Sequence, residues 1–328
     1  MKRLKTVGTA FVAGALTLAL AACGGNGGTD APAGSAATDG GSYKVGVIQL
    51  TEHSALDAAN EGFVKAIEDS GLDVEIDQQN AQNDQSACQT IAAKFVGDGD
   101  DLIFAIATPA AQAAAGATTE IPIVGTAITD FAESGLVASN DAPGNNVTGT
   151  SDLTPVAEQI DMLHKVLPDV KTVGLLYASN ESNSEIQIKM AEEALDKLNI
   201  AHERLTVSST NEIQSVVESA VTKVDAIYSP TDNTIAQGAA QVGQICLEAK
   251  IPFVTGEEGM CMAGGLFTLS INYEDLGYRA GEMAVKILKG EAEPADMAIE
   301  TLAKEDLVIV KNEEMAKALG IDLSVLDE

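Results

Sequence analysis

Short apolar runs alternate with amphipathic segments along most of the chain. The first run, Val45-Gly46-Val47-Ile48, is followed by a turn and by a helical pattern from Ala55 to Ser70. Buried runs of Val, Ile and Leu separated by helices are typical of parallel sheets covered on both faces. Gly71 after this helix and Asn199 after a later one are expected to act as helix stops. The pattern predicts an α/β fold.

The same order of elements occurs twice in the sequence. The first run and its helix are matched by Val173-Gly174-Leu175-Leu176 and a helix from Asn183 to Leu198. The run from Asp101 to Ala105 is matched by Asp225 to Tyr228, and Ile121 to Val124 by Ile251 to Val254. The offsets between the copies are 128, 124 and 130 residues, which indicates two copies of one unit. The chain is therefore predicted to form two doubly wound parallel-sheet lobes joined by a hinge near Ser151.

The lobe boundaries follow from this repeat. Lobe 1 is predicted to span residues 43–152 with a return at about 268–295, and lobe 2 to span 153–267 together with about 296–328. Further elements are predicted at the C-terminus: a helix at 273–288, a strand at 307–310 and a helix at 313–319. They have no counterpart in a simple tandem repeat. The chain is therefore expected to cross between the lobes several times.

The N-terminal segment has the pattern of a secretory signal. Basic residues precede an apolar stretch, Val7 to Ala22, that is short for a membrane-spanning helix. It ends in Leu20-Ala21-Ala22-Cys23, which places a cysteine where bacterial lipoproteins are acylated. Residues 1–22 are predicted to be a lipoprotein signal peptide and Cys23 a lipid anchor on the extracytoplasmic face of the cell membrane, the alternative being an ordinary signal peptide. Residues 23–42 are polar and Gly-rich, and they are predicted to form a flexible tether.

The net charge limits the possible binding partners, and the number of cysteines limits the possible disulfides. The formal net charge of −30 argues against nucleic acid and anionic headgroups as binding partners. Besides Cys23 the chain has Cys88, Cys246 and Cys261, so at most one intramolecular pair can form. Cys246 and Cys261 lie in the same half of the chain. The sequence is compatible with a disulfide between them and equally with two buried thiols.

Polar residues follow the predicted strands of both copies. Ligands bind open parallel sheets outside the carboxyl ends of the strands, so we expect a ligand in the cleft between the lobes. The expected ligand-binding residues are Gln49, His53, Ser54, Thr108, Pro109, Ala110, Thr126, Asp130, Ser151, Asp152, Tyr177, Glu181, Asn183, Ser184, Thr231, Asp232, Asn233, Glu258 and Tyr273.

The chemistry of these residues suits a zwitterionic amino acid. Hydroxyl groups and N–H groups at helix starts can hold a carboxylate. Asp130, Asp232 or Glu258 could accept hydrogen bonds from an ammonium group. The alternative for each polar residue is a helix cap without ligand contact, and for each tyrosine packing within a lobe.

Common enzyme motifs do not occur in the sequence. No G-x-G-x-x-G follows the first strand, and there is no Walker A loop, G-x-S-x-G elbow or H-E-x-x-H. His53 is the only histidine near the predicted cleft, and it is interpreted as a neutral hydrogen-bonding or surface residue. No catalytic residue, metal site or cofactor is predicted.

Several stretches together resemble one family. They are His53-Ser54-Ala55-Leu56-Asp57, Ala105-Ile106-Ala107-Thr108-Pro109, Asn146 to Asp152, Ser229-Pro230-Thr231-Asp232-Asn233 and Glu257-Glu258-Gly259-Met260. From about Tyr43 to Asp322 the chain resembles the ABC transporter substrate-binding proteins of the type I periplasmic-binding fold, in the group of tryptophan and aromatic amino acid binders of the TrpX kind. It departs from that group at Ser54, where proline is more frequent, and at Cys261.

The resemblance implies a lipoprotein receptor that serves a separate permease and ATPase. A small amino acid, aromatic or apolar, is the expected ligand, and it would be held by closure of the cleft. The alternatives are a sugar or nucleoside receptor of the same fold, a sensor subunit, and an exported α/β enzyme. The chain has no Trp and seven Phe, which argues against stacking of a sugar ring.

Overall fold

The computed structural model describes residues 42–327. The predicted signal peptide, the Cys23 anchor and almost the whole tether lie outside the described residues. Among the helices of residues 42–327, none combines the length and apolarity needed to cross a membrane.

The described chain alternates strands and helices. The strands are β1 (Tyr43–Gln49), β2 (Val74–Asn80), β3 (Leu102–Ile106), β4 (Ile123–Ile128), β5 (Val147–Ser151), β6 (Thr172–Ala178), β7 (Ala201–Val207), β8 (Ala226–Ser229), β9 (Phe253–Thr255), β10 (Phe267–Ser270), β11 (Glu300–Thr301) and β12 (Val308–Lys311). The α-helices are α1 (Ser54–Ser70), α2 (Gln85–Asp98), α3 (Thr108–Ala117), α4 (Val156–Val166), α5 (Ser182–Leu198), α6 (Thr210–Ala220), α7 (Asn233–Ala249), α8 (Glu258–Gly264), α9 (Tyr273–Leu288) and α10 (Glu313–Leu319). Short 3-10 turns lie at Pro294–Asp296, Lys304–Asp306 and Ser324–Leu326.

Lobe 1 is built on a six-stranded sheet with the order β11-β5-β4-β3-β1-β2. All of its strand pairs are parallel. The central strands β1, β3 and β4 are buried because helices cover both faces, which explains their continuous apolar runs. Phe63 of α1 stacks on Phe104 of β3 with ring centroids 3.6 Å apart.

Lobe 2 repeats this order in its four-stranded parallel sheet, β7-β6-β8-β9. Strand β10 lies beside β9, where the N–H of Leu266 donates to the carbonyl of Phe253 at 2.6 Å. On its other side β10 pairs with β12, and this pair is antiparallel. The prediction of two lobes with parallel sheets is confirmed, and the antiparallel pair is an addition to it.

The lobe boundaries differ from the predicted ones. Strand β10 belongs to lobe 2, so the return to lobe 1 begins after Ser270 and not at 268. The return also continues beyond residue 295, because β11 pairs with β5 and the Thr148 hydroxyl donates to the carbonyl of Met297 at 2.8 Å. Only from β12 onward does the chain belong to lobe 2 again. The two exposed residues of β11 carry no apolar pattern, which is why the sequence did not indicate this strand.

A close helix crossing fixes the beginning of α1 beside that of α9. A Cβ atom added to Gly277 would lie 1.9 Å from the carbonyl oxygen of Ala59, and one added to Gly62 would lie 2.0 Å from that of Glu274. Only glycine permits this approach of the two backbones. The predicted helix stops are also observed, since Gly71 and Asn199 both have left-handed backbone conformations.

Candidate functional site

A cavity lies where the two lobes face each other. Lobe 1 contributes His53, Ala55, Leu56, Ala127, Thr129, Asp152 and Tyr273, and lobe 2 contributes Asn183, Thr231, Asp232, Asn233, Ala236 and Glu257. Most of these residues lie just after a strand or in the first turn of a helix. The cavity is therefore at the sheet edges where the strand order predicts a ligand.

Part of the predicted set lines this cavity or supports its walls. The lining members are His53, Asp152, Asn183, Thr231, Asp232, Asn233 and Tyr273. Ser184 lies behind the wall and donates its hydroxyl to Asp232 Oδ2 at 2.7 Å. Ser151 donates its hydroxyl to the carbonyl of Thr129 at 2.7 Å. Glu181 has a larger supporting role, described below.

Other predicted residues lie within their own lobe, away from the cavity. Thr108, Pro109 and Ala110 form the buried first turn of α3. Thr126 pairs with the hydroxyl of Thr150 at 2.9 Å, and Asp130 accepts the N–H of Glu133 at 3.0 Å. Tyr177 bonds to Glu185 and Arg204 on the outer face of lobe 2. These side chains leave the strand ends in directions that do not lead into the cavity.

The last three predicted residues lie at neighbouring surfaces. Gln49 donates its amide to Asp57 Oδ1 at 2.6 Å and faces a separate depression on lobe 1. Ser54 and Glu258 line a groove outside the cavity. Glu257, which was not predicted, borders both this groove and the cavity. The predicted Glu258 therefore lies in the groove, and its neighbour Glu257 lines the cavity.

Glu181 organises the lobe 2 wall from behind. Its carboxylate accepts from the amide nitrogen of Asn233 at 2.7 Å, from that of Asn183 at 3.2 Å and from the hydroxyl of Thr234 at 2.8 Å. It also accepts the backbone N–H groups of Asn233 and Thr234 in the first turn of α7. One buried carboxylate thus holds two cavity-lining amides in fixed orientations.

The orientation of Asn233 determines the protonation of His53. Because the nitrogen of the Asn233 amide donates to Glu181, its oxygen faces His53 Nε2 at 3.1 Å and can only accept. The hydrogen-bond network therefore assigns the imidazole proton to Nε2 and leaves Nδ1 with a free lone pair. Burial lowers the pKa of His53, which the Asn233 bond and the carboxylates of Glu181 and Asp57 partly offset. The neutral form agrees with the interpretation made from the sequence.

Asp152 is the buried carboxylate on the lobe 1 side of the cavity. Tyr273 donates its hydroxyl to Asp152 Oδ2 at 2.9 Å. Burial raises the pKa of Asp152 to about 6, while hydrogen bonds from Tyr273, from the backbone and from Thr129 act in the opposite direction. The side chain is 5% exposed, so a charge on it needs compensation from inside the cavity.

The cavity carries an excess of negative groups. Burial raises the pKa of Glu257 to about 7, against the N–H groups of Met260 and Gly259 that it accepts. Burial, with the nearby Glu181, also raises the pKa of Asp232. The lining residues, which all lie in the described part of the chain, include neither lysine nor arginine. The site therefore favours a ligand group with positive charge.

Acceptor atoms in the wall remain without partners. Asp152 Oδ1, Asn183 Oδ1 and His53 Nδ1 are buried and make no hydrogen bond within residues 42–327. Buried polar atoms are normally paired, so these unpaired acceptors at the cavity are available to donors of a ligand. An ammonium group offers donors to several acceptors at once.

The cavity also contains donors for a carboxylate. The helix α1 begins after His53, and none of the described side chains caps it. Ala55 and Leu56 in its first turn line the cavity. The first N–H groups of a helix have no partner inside the helix, and they attract anions together with the helix dipole. The wall thus offers both acceptors for an ammonium group and donors for a carboxylate.

Direct hydrogen bonds join the lobes beside the cavity. Asn83 of lobe 1 donates to the hydroxyl of Thr234 at 3.0 Å, and Gln85 donates to the carbonyl of Asn180 at 3.1 Å. Gln237 of lobe 2 donates to the hydroxyl of Thr51. These bonds require the two sheet edges to be close together, so the structure has a closed cleft.

The cavity includes residues that the sequence did not indicate. Thr129 and Ala127 lie at the end of β4, and Ala55, Leu56 and Ala236 lie in first turns of helices. Gln187 in α5 is wholly buried and donates to the hydroxyls of Thr129 and Thr231. The offset of the repeat could have indicated the strand-end members. A glutamine inside a helix gives no such signal.

The cysteines are free thiols in the structure. Cys246 lies on the face of α7 that packs in the lobe 2 core, and the Cys261 thiol donates to the carbonyl of Val310 at 3.7 Å. The candidate disulfide between them is therefore not formed, and the alternative of buried thiols applies. Burial raises the pKa of both. Residues 42–327 contain no cluster of three or more His, Cys, Asp or Glu side chains placed to hold a metal ion.

Comparisons with known proteins agree on one family. The family described as ABC transporter substrate binding protein matches residues 44–326. A tyrosine-binding protein of Clostridioides difficile (strain R20291) is 40% identical over 327 residues, which are 98% of this chain and 94% of the relative.

Two solved structures are similar in fold and sequence. The ABC domain in complex with L-Trp from Streptococcus pneumonia is 38% identical with a TM-score of 0.84, covering 88% of this chain and 98% of that one. The ligand-free, open structure of a substrate-binding protein with adhesive properties from Clostridium difficile is 44% identical with a TM-score of 0.65, covering 85% and 95%. The lower score against an open structure, despite the higher identity, agrees with the closed cleft seen here.

Proposed function

Because the chain belongs to the family of ABC transporter substrate-binding proteins, we propose that it binds L-tyrosine or L-tryptophan in the cavity between its lobes. The observation that carries the proposal is the group of buried acceptors without partners, Asp152 Oδ1, Asn183 Oδ1 and His53 Nδ1. The amino group of the ligand would donate to these acceptors, and its carboxylate would accept from the first turn of α1. The relatives named for tyrosine and bound to L-Trp support the choice of an aromatic side chain.

The apolar part of the wall suits an aromatic ring. Ala55, Ala127 and Ala236 have small side chains, and Leu56 and the ring of Tyr273 provide larger apolar surfaces. Apolar and aromatic side chains of this kind pack well against a ring.

Binding would act through closure of the lobes. A ligand that contacts Asp152 in one lobe and Asn183 in the other binds the closed form more tightly than the open form, and it shifts the population accordingly. The closed form would then be recognised by the permease, while an ATPase drives import. The lobes change conformation and the solute is left chemically unchanged, as in the non-enzymatic family to which the chain belongs.

We also propose that the protein is anchored at the extracytoplasmic face of the cell membrane. Leu20-Ala21-Ala22-Cys23 supports cleavage before Cys23 and a lipid anchor on it. Residues 23–42 would then act as the tether, so that the two lobes can reach the permease at the extracytoplasmic face of the membrane.

A ligand screen tests the proposed function. L-Tyrosine or L-tryptophan at about 100 times its dissociation constant should raise the melting temperature by roughly 5–10 °C, because a ligand that binds only the folded state stabilises it by about 2.7 kcal/mol. The remaining amino acids, several sugars and several nucleosides serve as controls in the same screen. A clear shift with a sugar or nucleoside alone would refute the proposed ligand.

The affinity should depend on pH through Asp152. Only the deprotonated carboxylate can accept from the ammonium group, so protons compete with the ligand. Since the pKa of Asp152 is raised to about 6, affinity should fall as the pH falls through that value and level off above it. The loss should approach tenfold per pH unit below the midpoint, as measured by calorimetry between pH 5 and 8. A constant affinity over this range would contradict the assignment.

A further inference from the structure

Gly259 of lobe 2 lies against Ser54 of lobe 1 in the closed cleft. Gly259 is the second residue of α8, and Ser54 is the first residue of α1. A Cβ atom added to Gly259 would lie 1.8 Å from Ser54 Oγ and 3.1 Å from Ser54 Cβ. Rotation of the serine hydroxyl relieves the first of these contacts but not the second, because the Cβ atom has a fixed position on the backbone. A side chain at position 259 would therefore push the start of α1 away from α8.

The requirement for glycine at this position comes from the opposite lobe. Gly259 lies in the first turn of a helix and does not have a positive φ, so its own backbone accepts other residues. Gly256 differs, since a Cβ atom there would meet the backbone of Pro230 in the same lobe at 2.4 Å. Of the three atoms nearest to a Cβ added at Gly259, two belong to Ser54. When the cleft opens, Ser54 moves away, and alanine at position 259 would favour the helix.

The contact between Ser54 and Gly259 lies beside the cavity and relates its two walls. On the lobe 1 side, Ala55 and Leu56 follow Ser54 directly and line the cavity. On the lobe 2 side, Glu257 lines the cavity, and its carboxylate accepts the N–H of Gly259 at 2.5 Å. The distance between the start of α1 and Glu257 is therefore limited by how closely Ser54 can approach Gly259.

We propose that Gly259 is a positioning residue that sets how far the cleft closes on its ligand. Because it has no side chain, Ser54 can reach α8, and the first turn of α1 comes to the distance from lobe 2 at which one small ligand contacts both walls. The inference rests on the proposed function, because it takes binding to occur by closure on an amino acid. Any side chain at position 259 would destabilise the closed form and leave the open form unaffected. Folding stability and ligand affinity should therefore respond to it in opposite directions.

The first test is a pair of substitutions of increasing size at position 259. The affinity for L-tyrosine or L-tryptophan, measured by calorimetry, should fall about fivefold in Gly259→Ala and roughly 50-fold in Gly259→Val, within the range for overpacking of a close contact. The melting temperature of ligand-free Gly259→Ala should instead rise by roughly 1–3 °C, because alanine favours a helix over glycine. A general defect in folding would lower both quantities.

A second test removes the atoms that the added side chain would meet. In a protein that carries Ser54→Gly, the further change Gly259→Ala should weaken binding less than about twofold, because the Oγ and Cβ atoms of Ser54 are gone. Glu257 Oε2 would also lie 3.1 Å from the added Cβ atom, within lobe 2. If the loss arose from a displaced Glu257 and not from the opposite lobe, it would remain about fivefold in the Ser54→Gly protein, and the role of Gly259 would be refuted.

The matched control is Gly97→Ala in α2 of lobe 1. Gly97 is exposed, and no described atom lies within 4 Å of a Cβ atom added there. This variant should raise the melting temperature by a similar amount and leave the affinity unchanged. Small-angle scattering adds a direct measure of closure, since a saturating amino acid should reduce the radius of gyration of Gly259→Val less than that of the wild-type protein.

The outcomes separate this inference from the proposed function. Unchanged affinity in Gly259→Val, or compaction as complete as in the wild-type protein, would refute the role of Gly259 and leave the ligand assignment intact. Failure of the wild-type protein to bind L-tyrosine and L-tryptophan would refute the ligand assignment and this inference with it.

Discussion

Replacing Asp152 by asparagine should weaken the binding of L-tyrosine or L-tryptophan by about 100-fold. The variant keeps the shape of the side chain but removes its charge, and a hydrogen bond between charged groups in a buried site contributes roughly 2–4 kcal/mol. A loss of about 2.7 kcal/mol corresponds to that factor. Asparagine can also turn its NH2 group toward the ligand, where it would oppose the ammonium group. Calorimetric titration of both proteins at pH 7.5 measures the difference.

The matched control is Glu258→Gln. Glu258 follows a strand like Asp152 but is exposed and lies in the groove outside the cavity. Its replacement should change the affinity less than about twofold, since exposed charges near a site contribute little. Equal affinities of Asp152→Asn and the wild-type protein would show that another carboxylate, such as Glu257 or Asp232, holds the amino group. The part of the pH dependence with a midpoint near pH 6 should also disappear in Asp152→Asn, whereas any part due to Glu257 would remain.

Much of the fold could be predicted because the repeat shows in the apolar runs. The matches between β1 and β6, β3 and β8, and β4 and β9 depend on buried strands, whose apolar pattern is continuous. The edge strand β2 and the two-residue strand β11 are partly exposed and polar, so they carry no comparable signal. The polar residues of β11 explain why the return to lobe 1 is predicted to end near residue 295 although the chain crosses at about 307.

The site was predictable to the level of strand ends but not of side chains. Asp152, Thr231 and Tyr273 line the cavity as expected, whereas Thr126 and Asp130, on either side of Thr129, do not. Neighbouring residues in a strand point to opposite faces, and the irregular register between β4 and β5 changes the direction at this point. The sequence pattern predicts where the strand ends, but it does not predict the direction in which each side chain points there.

The interior of a helix is a further place where sequence patterns give little guidance. Gln187 is polar, and on an amphipathic helix a polar residue is expected on the solvent face. Here it faces the other lobe, and its burial becomes favourable only through bonds to Thr129 and Thr231. Its role depends on two segments that are distant in sequence and belong to different lobes.

Replacing Glu181 by alanine should destabilise the protein by roughly 3–5 kcal/mol and weaken ligand binding more than tenfold. The change leaves the buried donors of Asn183, Asn233 and Thr234 without their acceptor, and each unsatisfied buried group is costly. Binding should suffer because both amides of the lobe 2 wall lose the partner that orients them. Urea unfolding gives the stability, and calorimetry gives the affinity.

Glu181→Gln covers the case in which the alanine variant does not fold. In this variant the NH2 group of glutamine replaces one carboxylate oxygen and opposes some of the donors of Asn183, Asn233 and Thr234. The amide oxygen can still accept, so smaller losses of stability and of affinity are expected than in Glu181→Ala. The matched control is Glu185→Ala, four residues further along in the first turn of α5, whose side chain is 37% exposed and pairs with Arg204. That variant should lower the free energy of unfolding by less than about 1 kcal/mol and leave binding unchanged, because exposed ion pairs contribute little.

If the Glu181 variants were as stable and as active as Glu185→Ala, the lobe 2 wall would not depend on the Glu181 carboxylate. The His53 tautomer inferred from Asn233 would then lose its structural basis, because nothing else in the described chain fixes the direction of that amide.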